Sequence, residues 1–412
     1  MKIRKHIWGL LCLLCSCSPT SCTDPAKEQY TPEGGGGNKE DKKEEVQVVW
    51  HQRAYDSYLS IDKLYGITSG PTKGFFNENY PKGSGDLNAS FLWPYDGLMS
   101  GVALLNKLGY EVGYADKIER YQAYYRNLAV GGYGSQTDGQ NGGGDRFYDD
   151  NSIVGLNLVE AYKQLNDSKY LDRCAQIVQF LLSGEDNTLG GALWWCESQK
   201  NKPGQSDSNK PACANGYAQW FLLSYHDICP EEEKADVLAF AKRLYAWERE
   251  NLLDPSDQTY WNDRNADGNI NKTKWTYNSG AMIAAGTRLY HITGEKHYLD
   301  EAIATAKGAY SYYVKSREGM GMGYPLNDPW FTVKLIRAYM ELEPDFKTCS
   351  DYIKVFVSNL EYAWEHGRAQ NGLFYEDWSG KKVNPDRDKS LLMQDAALEA
   401  MAAVALYKKE HK

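Results

Sequence analysis

From about residue 48 onward the apolar positions recur at three- and four-residue intervals, and no clear period-two run appears. Val154, Leu158, Ala161 and Leu165 trace one amphipathic helical face; Leu299, Ala302, Ile303, Ala306 and Tyr310 trace another. The spacing predicts helices near 50–65, 94–108, 114–129, 150–166, 170–183, 214–226, 231–252, 278–293, 297–316, 330–342, 347–368 and 390–409. Twelve consecutive helices make six αα-hairpins. One closed arrangement of six hairpins is an all-α (α/α)6 toroid, a single domain in which alternate helices form an inner and an outer ring.

The N-terminus departs from this pattern. Lys2, Arg4 and Lys5 precede the apolar run Ile7 to Leu14, which reads as a signal peptide and is too short to span a bilayer as a permanent helix. The run ends in Leu14-Cys15-Ser16-Cys17, which resembles a bacterial lipobox. Lipidation is expected at Cys17, with Cys22 the fallback and a plain secreted protein the alternative. Residues 18–46 carry Gly34 to Gly37 and the charged stretch Asn38 to Glu45, a composition that cannot build a core and suits a flexible tether. The expected organisation is a signal and lipobox over 1–17, a tether over 18–46 and the toroid over 47–412. That describes a monomeric lipoprotein of the cell envelope, at the outer membrane on its surface-exposed or periplasmic face, touching the membrane only through its lipid.

Composition narrows the function. The 412 residues are 42% hydrophobic and 25% charged, with a net charge of −9, which argues against disorder and against a multi-pass membrane protein. The acidic balance also disfavours nucleic acid, which calls for a basic stripe. The 31 Tyr and 12 Trp suit either sugar stacking or a tyrosine-rich helical core. Five of the nine Cys fall in the body, at 174, 196, 213, 229 and 349. Cys196 and Cys213 flank one polar loop and are the best candidate disulfide, since an oxidising compartment permits one. The seven His show no metal-binding spacing, and no nucleotide fingerprint or nucleophile elbow occurs, so neither a metal nor a cofactor is expected. Asp263 to Ile270 imitates the start of a calcium loop, but Lys274 stands where such loops place a bidentate Glu, and a polar turn is the simpler account.

Polar and aromatic clusters fall at the N-terminal ends of the even-numbered helices: Trp93 to Gly97, Tyr148 to Asn151, Ala214 to Tyr217, Thr276 to Gly280, Asp328 to Phe331, and Gln394-Asp395. If the even helices form the inner ring, these ends meet at one mouth. Caps explain the Asn, Asp and Ser singly, but not the accompanying Trp and Tyr. Asp149-Asp150 is the only Asp-Asp pair. Retaining glycoside hydrolysis places two carboxyls about 5–5.5 Å apart, within reach of neighbours whose Cα atoms lie about 3.8 Å apart. Helix-start amides would hold Asp149 ionised, and crowding would keep Asp150 protonated as an acid. The alternative is a helix cap followed by a first-turn acid, with no catalysis.

Wider motifs weigh on that choice. Phe147-Tyr148-Asp149-Asp150-Asn151 leads into Leu158-Val159-Glu160-Ala161-Tyr162. Then come Gly190-Gly191-Ala192-Leu193-Trp194-Trp195-Cys196, Thr276-Tyr277-Asn278-Ser279-Gly280, Leu289-Tyr290-His291-Ile292-Thr293-Gly294 with Tyr298-Leu299, Glu376-Asp377-Trp378, and Gln394-Asp395-Ala396-Ala397. In this order and over most of the chain, they resemble glycoside hydrolase family 76, the endo-α-1,6-mannanases. The resemblance implies an (α/α)6 fold, a retaining mechanism, a mannan or manno-oligosaccharide substrate, Asp149 as nucleophile and Asp150 as acid/base. One segment departs: where the family often shows Phe-Lys-Gly, this chain has Phe331-Thr332-Val333 ahead of Arg337. That bears on subsite affinity and leaves the carboxylate pair untouched.

Candidate sugar platforms are Trp93, Tyr95, Tyr148, Trp194, Trp195, Tyr277, Trp330, Phe331 and Trp378, with packing the competing role for each. Asp96, Asn151, Asn278 and Gln394 are candidates to hydrogen-bond mannose hydroxyls, or else to cap their helices. Arg337, two turns into its helix, is expected to be a structural ion-pair partner. Two other functions stay open: a catalytically silent mannan-binding lipoprotein, and another (α/α)6 carbohydrate enzyme. An anionic substrate would call for basic residues at the mouth, and the six clusters contain none.

Overall fold

The computed structural model describes residues 39–385 and 387–411, with side chains described from Trp50 onward. The signal, Cys17, Cys22 and residues 18–38 lie outside the described residues. Among the described residues twelve α-helices follow one another: α1 Lys39–Tyr65, α2 Leu92–Lys107, α3 Tyr114–Glu119, α4 Tyr148–Leu165, α5 Ser168–Gly184, α6 Ala212–His226, α7 Glu231–Leu252, α8 Thr276–Thr293, α9 Lys296–Tyr313, α10 Pro329–Leu342, α11 Cys349–His366 and α12 Leu391–Glu410. Among the described residues no helix is long and apolar enough to cross a membrane.

The even helices touch in a closed cycle, α2 to α4, α6, α8, α10, α12 and back to α2. This is the inner ring of an (α/α)6 toroid, as the helix count predicts. Sequence explains which helices go inside. Every residue of α6 from Ala212 to Tyr225 is buried, as is every residue of α12 from Leu391 to Ala405, because a helix with neighbours on all sides has no polar face. Outer α5 instead buries one stripe: Tyr170, Cys174, Ile177, Val178, Phe180, Leu181 and Gly184. Close approach within the inner ring depends on missing side chains. A Cβ on Gly280 of α8 would sit 2.8 Å from the Leu335 Cα of α10.

Loops are unequal at the two ends. Segments 66–91, 124–147, 185–211, 253–275, 314–328 and 367–390 all enter inner helices at their N-termini, whereas 108–113, 166–167, 227–230, 294–295 and 343–348 are short turns at the other end. The long loops carry small antiparallel pairings. Asn209–Pro211 pairs with Asp263–Asn265, which pairs in turn with Ile270–Asn271 and ties two neighbouring loops together. The calcium-like segment is this hairpin turn: Asn265 Oδ1 accepts from the amides of Asp267 and Asn269, and Asp263 accepts from Asn262 and Asn271.

One predicted helix differs. Residues 114–129 form α3, a 3-10 turn over Arg120–Ala123 and then a strand at Tyr125–Arg126. The break turns two tyrosines under α2: the Tyr121 hydroxyl donates to Asp96 (2.6 Å) and that of Tyr124 to the Ser90 carbonyl (2.9 Å). α1 begins at Lys39, earlier than its apolar spacing indicates, because a charged stretch carries no face to read.

Candidate active site

Asp149 and Asp150 occupy the first turn of α4, entered through an extended Phe147. Their surroundings are unequal. Asp149 folds Oδ1 back to accept the Asp150 amide (2.9 Å), while Oδ2 accepts from the Trp195 indole (3.0 Å) and the Cys213 thiol (3.2 Å). Burial raises its carboxyl above the usual range, and these three donors, Cys213 foremost, oppose that rise without cancelling it. Among the described residues no donor reaches the Asp150 carboxyl, and burial with the neighbouring Asp149 charge pushes it well above the usual range. The pair shares its protons as a unit, and the donors decide which member carries the charge: Asp149 is the stabilised anion and Asp150 keeps the proton.

The groups that create this asymmetry come from α4 itself, the loop 185–211 and the start of α6. Trp195 is held by its backbone, its amide donating to Asn209 O (2.9 Å) and its carbonyl accepting from Tyr148 N (3.0 Å). Behind it Lys210, fully buried, donates to the Asp186 carboxylate (2.8 Å) and to the carbonyls of Thr188, Gly191 and Ala192. A buried ammonium with that many partners fixes the loop it threads. Beneath the pair lies Asp96 of α2, fully buried, with Oδ2 lacking a partner. Its carboxyl is raised by burial and then by Asp150, against the hydrogen bond from Tyr121 and the pull of Lys334. Lys334 is itself buried, paired with Glu399 (2.6 Å) and stacked over Trp330 (4.4 Å). Arg337 completes this pair at 2.9 Å from Glu399, in the structural role expected of it.

The aromatic candidates separate into two groups. Trp93, Trp195, Tyr277 and Phe331 border the cleft: Phe331 lies 4.1 Å from Tyr277 and 6.1 Å from a parallel Trp93, and the Tyr277 hydroxyl faces the Cys213 thiol. Trp275 (5.5 Å from Phe331) and Phe147 (5.0 Å from Trp195) join them, and neither is foreseen from sequence. The other five face away or lie deeper. The Tyr95 hydroxyl donates to Lys117 O and Tyr148 stacks on Phe180; the Trp194 indole donates to Asp186, and Trp330 and Trp378 are buried in packing.

The amides also separate. Asn151 accepts from Tyr133 N (2.7 Å) and donates to Tyr133 O and Phe147 O; Gln394 accepts from Phe374 N (2.7 Å) and donates to Phe374 O and Asp388 O. Each pins a mouth loop to an inner helix, and neither keeps a group for a sugar. Asn278 is fully buried with both amide atoms unpartnered.

The candidate disulfide is corrected. Cys196 and Cys213 are both free thiols. The Cys196 sulfur lies 3.4 Å from the Ser198 hydroxyl, while Cys213 is turned into the cleft toward Asp149. A signal for this existed in the helix register. Cys213 is the second residue of α6, as Asp149 is of α4, Tyr277 of α8, Trp330 of α10 and Trp93 of α2. No cluster of three or more His, Cys, Asp or Glu suited to a metal ion occurs among the described residues.

Known proteins share this architecture. A family 76 mannosidase from Bacteroides thetaiotaomicron VPI-5482 superposes with a TM-score of 0.75 at 24% identity, covering 88% of this chain and 100% of its own. The α-1,6-mannanase of Salegentibacter sp. HEL1_6 gives 0.70 at 22% identity, covering 87% and 99%. An inactive variant of that mannanase, with two adjacent aspartates replaced by asparagine and α-1,6-mannotriose bound, gives 0.69 at 21% identity over the same shares. Among curated proteins none matches the chain significantly. The profile of Glycosyl hydrolase family 76 matches residues 62–411, from within α1 to the end of α12, and the chain therefore belongs to glycoside hydrolase family 76.

Proposed function

We propose that this glycoside hydrolase cleaves α-1,6-mannosidic linkages within mannan chains with retention of configuration. The observation that carries the reading is the unequal treatment of two adjacent carboxyls, three donors on Asp149 and none on Asp150. Asp149, ionised, attacks the anomeric carbon as Asp150 gives its proton to the departing glycosidic oxygen. The glycosidic bond breaks as the bond to Asp149 forms, and one half of the chain leaves with a new hydroxyl. Water then enters, Asp150 takes its proton, and its oxygen displaces Asp149, so two inversions give net retention. The Salegentibacter mannanase, inactive without its two adjacent aspartates and holding α-1,6-mannotriose, supports both the residues and the substrate class. The rim of Trp93, Trp195, Trp275, Tyr277 and Phe331 gives flat apolar surfaces for successive sugar faces. The signal-like N-terminus and Cys17 support a protein tethered by lipid at the outer membrane, where polymeric substrate would reach the mouth.

Incubation of residues 46–412 with unbranched α-1,6-mannan tests this reading. A ladder of short oligosaccharides whose new reducing ends first appear as the α-anomer is expected. Release of mannose alone, or a β-anomer first, would contradict it, as would intact Asp149→Ala or Asp150→Ala proteins with normal rates.

A further inference from the structure

Next to the mouth, a hollow of about 260 Å3 opens between the start of α8, the end of α9 with its following hairpin, and the start of α10. Trp275, Tyr312, Lys315, Arg317, Asp328 and Phe331 form its functional walls. Phe331, 4.1 Å from Tyr277 and 5.5 Å from Trp275, links the pocket by side-chain contacts through Tyr277 and Cys213 to Asp149.

Two of its basic side chains stand apart from the rest. Lys274, also in the wall, is held by two carboxylates, Asp254 (2.7 Å) and Asp257 (2.5 Å), and Asp328 shares Arg387 with Glu376. Lys315 and Arg317 have no carboxylate partner among the described residues. Lys315 donates to the Ser311 carbonyl (2.9 Å), and Arg317 makes long contacts to the carbonyls of Gly323 (3.3 Å) and Tyr313 (3.5 Å). Two cations without a direct carboxylate contact therefore line one pocket. Beside them Tyr312 is 42% exposed, and Trp275 and Phe331 are half-buried, an apolar lining suited to a sugar ring. Guanidinium and ammonium groups left with spare donors recognise phosphate and carboxylate oxygens.

We propose that this pocket is a distal subsite for a mannan residue bearing an anionic substituent, with Lys315 and Arg317 as the charge-recognising pair; the inference rests on the mannanase reading. The basic residues that an anionic ligand requires come from the hairpin Lys315–Arg317 with Gly321–Gly323, not from the helix starts. A phosphate monoester and a uronate carboxylate share the needed chemistry.

The test compares α-1,6-manno-oligosaccharides that are neutral, phosphorylated or uronate-capped at a residue distal to the cleaved bond. The quantity read is the ratio of anionic to neutral kcat/KM, for the wild type and for Lys315→Gln/Arg317→Gln. A ratio of about three to ten in the wild type is expected, carried by KM, the size of two partly screened ion pairs. It should fall towards one in the double variant and at about 0.5 M salt. Whichever of phosphate and uronate gives the larger ratio identifies the substituent. A wild-type ratio of one for both, or a ratio unchanged in the variant, would overturn the proposal. If no oligosaccharide is cleaved, the mannanase reading fails, and calorimetric titration with mannose phosphate then decides the pocket. Binding weakened in the variant upholds it, and equal binding or none in the wild type overturns it.

Discussion

The thiol of Cys213 donates to Oδ2 of Asp149 across 3.2 Å, joining the second residues of neighbouring inner helices that stand 64 positions apart in sequence. A buried thiol raised by burial and by the Asp149 charge stays protonated, so it serves as a donor and not as a nucleophile. Removing it takes one of three supports from the carboxylate. Cys213→Ala should lower kcat about tenfold, the worth of one hydrogen bond to a charged group. Cys213→Ser, which keeps a donor, should recover most of that loss. Losing a donor to the ionised form raises a carboxyl pKa, so the acidic limb of the pH–rate profile should move to higher pH in Cys213→Ala. An unchanged limb would mean the contact is packing alone.

Asp150 predicts the opposite limb. Its carboxyl is raised by burial and by Asp149, and it must be protonated to release the leaving group, so activity should fall as pH rises through its pKa. Asp150→Ala should lose most activity on mannan but keep far more of it on a mannoside whose leaving group departs without a proton. Asp149→Ala should lose both. Steady-state rates on the two substrates separate these roles, and equal losses on both would reverse or merge the assignment.

The fold was legible because its signal is local. A helix needs only its own spacing, and six hairpins leave few ways to close a ring. Asp149 and Asp150 were legible because both sit in one turn. What sequence hides is the long-range partner. Nothing near Asn151 says that its amide is consumed by Tyr133, 18 residues away, or near Gln394 that Phe374, 20 residues away, consumes its own. Cys196 and Cys213 flank one loop, and proximity along the chain suggests a bond; the three-dimensional neighbour of Cys213 is Asp149. Trp194 and Trp195 are adjacent, yet one indole binds Asp186 behind the loop and the other Asp149 in the cleft, because extended residues alternate in direction. The break after α3 was invisible for the same reason: Tyr121 leaves the helix to reach Asp96, a residue on another element.

Gly280 tests how tightly the inner ring is drawn. An added Cβ would meet backbone, the Leu335 Cα at 2.8 Å and its nitrogen at 3.0 Å, and backbone cannot rotate aside as a side chain can. Gly280→Ala should destabilise the protein by about 1–3 kcal/mol through forced separation of α8 and α10, despite the better helix propensity of Ala. Urea unfolding measures this directly. Gly280 also neighbours the first turn that carries Tyr277, so catalytic rate should fall alongside stability. An alanine variant as stable as the wild type would show that the ring has slack at this seam.

Glu78 links protonation to closure of the ring. Its carboxylate accepts the Phe91 amide at the entry to α2 (2.9 Å), and its backbone carbonyl accepts the Leu391 amide at the start of α12 (2.9 Å). Burial pushes its carboxyl up to about 7, helped by Asp86 and opposed by the Phe91 hydrogen bond. A carboxyl that holds its proton more tightly when folded than when unfolded stabilises the fold fully below its unfolded value of 4.5. That contribution is lost as pH rises from there through about 7, and stays lost above. Over that window the wild type should lose up to about 3 kcal/mol that Glu78→Gln does not lose, since the amide stays neutral and can still accept from Phe91. Urea midpoints for both proteins at about pH 4.5, 6 and 7.5 give the difference curve. Parallel curves would mean that Glu78 titrates in the folded protein as it does in the unfolded chain, and that the α2–α12 seam closes independently of its proton.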